Sequence, residues 1–326
     1  MGKMVVKTLA PAKINIGLSI GGIRDDGYHN IATVIQTVGL YDKIAMEEAP
    51  EYEFICTNFN FPAGEVNLCE KAYAVFCRAT GIKRGVRIVL EKQIPVGAGL
   101  GGGSSDAGAV IVGLNRLWGC GLSPAELTKM AAEIGSDTAF FTAEHRGSAL
   151  CRGRGEEVIP IETVFEGWVV IVFMGIHIST TWAYKTIDNN LTNSEKNVNL
   201  EGYILSCFPV LKGLNDVNRS GRRGISRRPP IGKNISERMD RPDILRLKND
   251  FEPIVFAAHP ELKEAVLFLQ RQGASFSSLS GSGSAVFGLF SAKAEAEKAA
   301  KLLPAYPLKV LAATPAPNSN DLLQIN

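Results

Sequence analysis

Along residues 14–20 the side chains alternate, with Ile14, Ile16, Leu18 and Ile20 on one side and Asn15, Gly17 and Ser19 on the other. A period of two predicts a β-strand with one buried and one polar face. A separate short strand is expected over 4–9, a turn at Arg24-Asp25-Asp26-Gly27, and then a mostly apolar stretch from Ile31 to Leu40. Leu68, Ala72, Val75 and Phe76 recur at helical spacing, so 66–79 reads as an amphipathic helix. A short strand over 86–90 precedes a glycine-rich loop at 97–103, which opens into a helix from Ser104 to Leu117. Ser123-Pro124-Ala125-Glu126 supplies an N-cap serine, proline at N1 and glutamate at N3 for the next helix.

Strands are expected at 147–151 and 167–173, the second a continuous apolar run. Leu262, Ala265, Val266 and Leu269 put one apolar face on a helix over 260–271, with Pro260 at its start. A strand at 284–290 and a helix at 293–302 follow. Pro, Asn and Ser crowd the last dozen residues, which predicts a frayed tail. No internal repeat is visible. Mixed strands and helices in both halves point to α+β or α/β architecture. The boundary between halves is expected at 155–166, where Gly153, Gly155 and Pro160 punctuate a charged stretch.

Composition sets limits around this pattern. The chain has 326 residues, 45% of them hydrophobic, enough for two domains with cores of their own. Its formal net charge of +2 argues against a dedicated nucleic-acid binder. That small total conceals a basic block over 217–246, with Arg219, Arg222, Arg223, Arg227, Arg228, Lys233, Arg238, Arg241 and Arg246 against three acidic residues. No apolar run reaches the roughly 20 residues a membrane span needs. The opening MGKMVVKTLAPAK lacks the apolar core of a signal peptide, and Val6 occupies the position where a myristoylation motif wants Ser or Thr. The six cysteines (56, 69, 77, 120, 151 and 207) form no CxxC pair and read as reduced thiols of a cytoplasmic protein. The four histidines have no partner at zinc-ligand spacing.

The most informative string runs from Pro95 through Val96, Gly97, Ala98, Gly99, Leu100, Gly101, Gly102, Gly103, Ser104 and Ser105 to Asp106 and Ala107. Its five glycines leave backbone N–H groups free to close on an anion, and a helix starts where it ends, the combination that binds phosphate. Ser104 and Ser105 add hydroxyls suited to phosphate or to metal-bound water. Asp106 favours a helix start but would repel a phosphate if it pointed inward. A Walker A motif is excluded because no lysine follows the glycines. A dinucleotide fingerprint is formally present at Gly97, Gly99 and Gly102. However, the loop follows two earlier strands, and near 122 it meets only Glu126, which the helix cap already uses.

This string resembles the second motif of the GHMP kinases. Pro11-Ala-Lys-Ile-Asn-Ile-Gly-Leu18 followed by Gly27-Tyr28-His29 resembles the first motif, and Leu279-Ser-Gly-Ser-Gly-Ser-Ala-Val-Phe287 the third. Gly135-Ser-Asp-Thr-Ala-Phe-Phe141 and Ile178-Ser-Thr180 extend the resemblance over nearly the whole chain. It is nearest to the branch that phosphorylates the 2-hydroxyl of a cytidyl-diphospho-methylerythritol in the non-mevalonate isoprenoid pathway. The implied fold is a two-domain α+β arrangement. A domain like ribosomal protein S5 domain 2 would occupy 1–160 and a ferredoxin-like domain 161–326, with the active site between them.

The resemblance implies ATP as co-substrate, Mg²⁺ with it, and a small-molecule acceptor carrying a cytidine diphosphate group; metal ligands are not assigned. Asp137 is implied as catalytic base and Lys13 as its partner, with Pro95 to Ser105 on the ATP phosphates. Asn15, Tyr28, His29 and Thr180 are implied on the acceptor side, Tyr28 stacking on cytosine and His29 pairing with its polar edge. The family usually carries a proline two residues after the aspartate, where this chain has Ala139. Relative to the family the basic block reads as an inserted, mobile surface loop ahead of Asn249-Asp-Phe-Glu252, with steering of anionic substrates as the alternative. Two other readings compete: another GHMP kinase acting on mevalonate, homoserine or a sugar, and a non-catalytic nucleotide-binding regulator of the same fold.

Overall fold

The two strands expected at 4–9 and 14–20 are one. In the computed structural model, which describes residues 4–59, 67–145, 147–190, 247–317 and 324–325, β1 runs unbroken from Val5 to Ile23. It pairs antiparallel with β2 (His29–Ala49) across the turn at 24–28, and the ladder shifts register at Pro11/Ala12, Asn15/Gly17 and Ile20/Ile23. These irregularities let proline sit inside the strand and re-aim side chains along it. Ile14, Ile16, Leu18 and Ile20 are buried as the alternation predicts, but Lys13, Asn15 and Ser19 on the opposite face are buried too. The polar face is a lined interior, not a solvated surface.

Because β2 is 21 residues long, one of its edges hosts two partners in turn. Lys43–Ala49 pairs with β4 (Gly85–Glu91), and Ile31–Gln36 pairs with β5 (Ser148–Gly153). The short β3 (Glu53–Cys56) joins β4 in parallel, and β6 (Glu157–Pro160) joins β5. Three helices cover the β4 side: α1 (Leu68–Thr80), α2 (Gly102–Leu117) and α3 (Pro124–Ile134). Phe76, Val110, Ile111 and Leu114 pack there on Val6, Ile44, Met46 and Ile88. α2 lies so close that a Cβ at Gly113 would meet Met46 at 1.9 Å. The expected capping box at Ser123 and Glu126 forms in full, a feature worth about 1 kcal/mol. The short, two-turn α4 (Ser136–Thr142) follows α3 directly.

A second, four-stranded antiparallel sheet contains β7 (Gly167–Phe173), β8 (Phe276–Leu279), β9 (Val286–Phe290) and β10 (Leu308–Thr314), in the order β10-β7-β9-β8. Its outer face is packed by α5 (Thr180–Asn190), α6 (Glu252–Ala258), α7 (Pro260–Arg271) and α8 (Lys293–Leu302), through Ala183, Val255, Leu262, Leu269 and Ala296. Its inner face meets the first sheet, where Val169, Ile171, Phe287 and Leu289 pack on Ile14, Ile16, Val34 and Val38. Of the expected frayed tail, residues 318–323 lie outside the described residues. Gln324–Ile325 forms β11, a two-residue strand on the edge of β1. The basic block at 217–246 and Cys207 also lie outside the described residues.

One buried side chain fastens the joint between the sheets. The Gln36 oxygen accepts the N–H groups of Val164 and Phe165 and the hydroxyl of Ser148. Its nitrogen donates to Phe165 O and Thr314 Oγ1, both at 2.6 Å. Every hydrogen-bonding position of this amide is used, so its orientation is fixed.

Candidate active site

The site starts with two residues on the polar face of β1. Lys13 and Asn15 lie two apart, so both project toward the same side. Lys13 Nζ donates to Asn15 Oδ1 at 2.6 Å, Asn15 Nδ2 donates to Thr33 Oγ1 at 2.8 Å, and Thr33 Oγ1 donates to Gly17 O at 2.7 Å. Because the Thr33 hydroxyl is spent on a carbonyl, it can only accept from Asn15. The amide oxygen must therefore face the ammonium. Lys13 Nζ also lies 3.4 Å from Asp137 Oδ2.

Asp137 sits in the first turn of α4, where the helix dipole favours a carboxylate. A helix this short does not hold itself. Phe140 and Phe141 anchor it by full burial, worth about 1.5–3 kcal/mol each. Ala139, where the family pattern has proline, is buried inside an unbroken turn whose carbonyl accepts from Ala143 N at 3.1 Å. The missing proline leaves the carboxylate in place. Cys151 of β5 packs beneath the pair, and burial pushes its thiol well up, so it stays neutral.

The glycine loop meets β1 directly, Lys13 N donating to Leu100 O at 3.0 Å. Gly97, Gly99 and Gly101 take φ values of 70°, 77° and 69°, and this alternating left-handed backbone turns successive N–H groups into a concavity for an anion. Gly99 is required twice over, since a Cβ there would also stand 2.1 Å from Ser280 O. The helix begins at Gly102, two residues before the expected Ser104, and no side chain among the described residues caps it. Val96, Gly97 and Gly103 are exposed, Pro95, Gly99, Gly101 and Ser104 are half-buried, and Ala98, Leu100 and Gly102 are buried. Ala98 and Leu100 thus anchor the loop in the core and offer only their backbone to a ligand. The Ser105 hydroxyl is fully buried with no hydrogen-bond partner among the described residues.

The third motif closes on this loop from the second sheet. Ser280 Oγ donates to Gly99 O at 2.9 Å, Ala285 N donates to Ala98 O at 2.9 Å, and Ser282 Oγ meets Thr180 Oγ1 at 3.2 Å. A Cβ at Gly281 would lie 3.3 Å from Asn15 Oδ1 and 3.5 Å from Lys13 Nζ, so the motif reaches the charged pair as well. Sequence reasoning passed over Asn249 as a holder of this turn. Its Nδ2 donates to Leu279 O and Gly281 O, both at 2.8 Å, while Oδ1 accepts Phe251 N. A parallel bridge between Leu18 and Asn249 fixes it to β1.

Tyr28 and His29 lie at the far end of β1 and β2. Tyr28 is 56% exposed, with the Arg154 guanidinium 5.0 Å from its ring centroid. His29 is stacked on Tyr184 of α5, centroids 4.8 Å apart, and its Nε2 meets Asp188 Oδ1 at 2.8 Å. A carboxylate only accepts, so Nε2 carries the proton and, in the neutral ring, Nδ1 is left as an acceptor. Burial, and then the charge of Asp137, push the Tyr184 hydroxyl up to about 12. Arg154, Tyr184 and Asp188 were not legible beforehand, because they come from a hairpin tip and a helix remote in sequence from Tyr28.

Residues 67–145 match the model described as "GHMP kinases N terminal domain", and residues 228–306 match "GHMP kinases C terminal", which begins inside the basic block. The 4-diphosphocytidyl-2-C-methyl-D-erythritol kinase of Prosthecochloris aestuarii is 38% identical over 304 residues, covering 92% of this chain and 94% of that one. The enzyme of the same name from Chlorobium chlorochromatii is 37% identical, covering 90% and 91%. A crystal structure of 4-(cytidine 5'-diphospho)-2C-methyl-D-erythritol kinase, 30% identical, superposes with a TM-score of 0.69 over 95% of this chain and 100% of that chain. On these likenesses this chain belongs to the 4-diphosphocytidyl-2-C-methyl-D-erythritol kinases of the GHMP kinase family.

Proposed function

We propose that this small-molecule kinase transfers the γ-phosphoryl group of ATP in line to the 2-hydroxyl of 4-diphosphocytidyl-2-C-methyl-D-erythritol, with Asp137 and Lys13 at the transfer point. The observation that carries this reading is the 3.4 Å Lys13–Asp137 pair next to a loop whose backbone is shaped for phosphate. Phosphoryl transfer asks a protein chiefly for positioning and charge neutralisation. Asp137, the more exposed partner, orients the acceptor hydroxyl and takes its proton as the new P–O bond forms. Lys13, fixed by Asn15, pairs with that carboxylate and faces the charge developing on the transferred group. The donor phosphates lie on the N–H groups of 97–103 at the start of α2.

The chemistry of the site fits a magnesium ion carried on the nucleotide. Mg²⁺ takes oxygen ligands, keeps several waters, and needs only one or two from the protein beside phosphate oxygens. Among the described residues no cluster of three or more His, Cys, Asp or Glu could hold a metal ion alone. The unpartnered Ser105 hydroxyl at the start of α2 is an oxygen free to take that role, with Ser104 beside it. Bound there, the ion would neutralise phosphate charge.

On the acceptor side, the open face of Tyr28 offers a stacking platform, and His29 Nδ1 offers an acceptor for an exocyclic amine such as that of cytosine. Stacking tolerates any base, so the histidine edge supplies selection. Among the described residues no helix is long and apolar enough to cross a membrane. Asp137→Ala should leave ATP binding nearly intact and lower turnover by about 10²–10⁴-fold. In a panel of GHMP acceptors assayed with ATP, only the cytidyl substrate should be turned over efficiently. Unchanged turnover, or equal use of mevalonate or homoserine, would overturn the reading.

A further inference from the structure

An acceptor with its base at Tyr28 and its reacting hydroxyl at Asp137 must lay its diphosphate between them. The hairpin joining β5 to β6 reaches both ends of that path. Its tip closes through Gly155 N, which donates to Arg152 O at 2.9 Å, and Gly153 and Gly155 take φ values of 70° and 109°. A Cβ at Gly155 would stand 3.2 Å from Ser136 Cβ, so the residue after Arg154 abuts the residue before Asp137. At the other end the Arg154 guanidinium lies 5.0 Å from the Tyr28 ring centroid. Glu156 holds the arginine in place, its Oε2 accepting Arg154 N at 2.6 Å and its Oε1 lying 3.5 Å from Nε. Nη1 and Nη2 of this half-buried side chain have no hydrogen-bond partner among the described residues. The cations at either end are already engaged. Arg24 has its Nε 3.3 Å from both oxygens of Asp26 and its Nη1 3.3 Å from Asn30 Oδ1. Lys13 is shared between Asn15 and Asp137.

We propose that Arg154 is a substrate-binding residue whose free Nη edge takes the acceptor's diphosphate while its face rests on Tyr28. A planar guanidinium serves both at once, its face attracted to an aromatic ring and its edge presenting paired N–H donors to phosphate oxygens. The base takes the face of Tyr28 that the arginine leaves open. Asp26, Asp188 and Asp137, the carboxylates at the two ends of the path, only accept hydrogen bonds and repel a diphosphate. Arg154 supplies the attraction that they cannot. It also gives the site a second means of selection beside the His29 edge. Mevalonate and homoserine carry no diphosphate and would leave the Nη groups to water, as would cytidine alone.

This assignment rests on the reading that Tyr28 takes the base, and the test separates the two. Dissociation constants for cytidine and cytidine diphosphate are measured on the full chain, with a non-hydrolysable ATP analogue saturating the donor site. Cytidine diphosphate should bind the parent chain more tightly than cytidine. Arg154→Ala should weaken cytidine diphosphate about 10–100-fold and cytidine less than about threefold. Arg154→Lys, which keeps the charge but not the fork, should recover part of the loss. Equal weakening of both ligands would make Arg154 a prop for Tyr28 and overturn the proposal, as would no weakening of either. Tyr28→Ala is the control for the underlying reading. If it leaves cytidine binding unchanged while Arg154→Ala still weakens cytidine diphosphate alone, the base platform fails and the phosphate contact stands. Steady-state kinetics at saturating ATP give a second readout. In Arg154→Ala, KM for the cytidyl substrate should rise with kcat within about threefold of the parent. A fall in kcat with cytidine diphosphate binding unchanged would put Arg154 at the transfer point instead and overturn the proposal.

Discussion

Lys13 and Asp137 form an unequal pair: at 3.4 Å separation the ammonium is 4% exposed and the carboxylate 36%. The buried partner is locked by Asn15 and by the backbone bond from its own N–H to Leu100. The exposed one is reachable by a ligand. Such asymmetry suits a fixed charge that serves a working base. Lys13→Met should therefore lower kcat by about 10²–10⁴-fold while raising KM for ATP only modestly. Steady-state kinetics with both substrates varied would check it; a pure KM effect would assign Lys13 to binding.

Gly99 should tolerate no side chain. Its φ of 77° is costly for any L-residue, and the clash at 2.1 Å is with backbone, which cannot step aside as a flexible side chain would. Gly99→Ala should lose about 2–4 kcal/mol of stability and weaken ATP binding at least about tenfold. Denaturant midpoints and calorimetric ATP titration would test both halves.

Asn249→Ala would remove two donors from the turn that carries Ser280 and Gly281, leaving the buried carbonyls of Leu279 and Gly281 unpaired. A loss of about 2–4 kcal/mol is expected. KM for ATP should rise as well, because Ser280 is the contact that holds Gly99. An effect on stability alone would show that the turn holds its shape without this side chain.

The His29 edge can be separated from its stack. His29→Phe keeps an aromatic ring against Tyr184 but removes both nitrogens, leaving Asp188 without its partner. KM for the cytidyl substrate should rise about 10–100-fold with KM for ATP unchanged. Parallel assays at saturating co-substrate would read it.

Asp106 gives stability a pH dependence of defined sign. Burial, with Asp42 adding to it and Lys92 opposing it, pushes its folded value up to about 8, above the ordinary aspartate value of 3.8, so across that window the folded chain holds a proton the unfolded chain has released. This contribution is fully present below about pH 4 and is lost progressively as pH rises toward about 8. Asp106→Asn removes the slope. Relative to the parent, it should gain stability between pH 5 and pH 8 in urea titrations, and no gain would contradict the assignment.

Apolar periodicity alone predicts α1 and α7 to within about two residues at each end, because their apolar stripes act locally. The capping box at Ser123 and Glu126 is local in the same way. Ser104 as the start of α2 is two residues late, because Gly102 and Gly103 have poor helix propensity and are held helical by packing of α2 on the sheet. One long strand replaces the two expected at 4–9 and 14–20. Pro11 interrupts a propensity pattern without interrupting a strand whose bulge absorbs it.

Sequence by itself determined which chemistry is available: an alternating strand carrying Lys13 and Asn15, a glycine-rich loop ahead of a helix, and an aspartate at 137 in a motif that resembles the family's. Those are properties of short segments, fixed by side-chain period and by the left-handed backbone of Gly97, Gly99 and Gly101. Tertiary structure alone decided that Lys13 meets Asp137 across 124 positions of chain, that Asn249 holds the turn over Gly99, and that His29 faces Asp188 and Tyr184. It also turned Asp106 inward toward Lys92. Each of these pairings depends on which faces of two sheets and several helices are buried together. Burial is a property of the packed whole, and no local pattern records it.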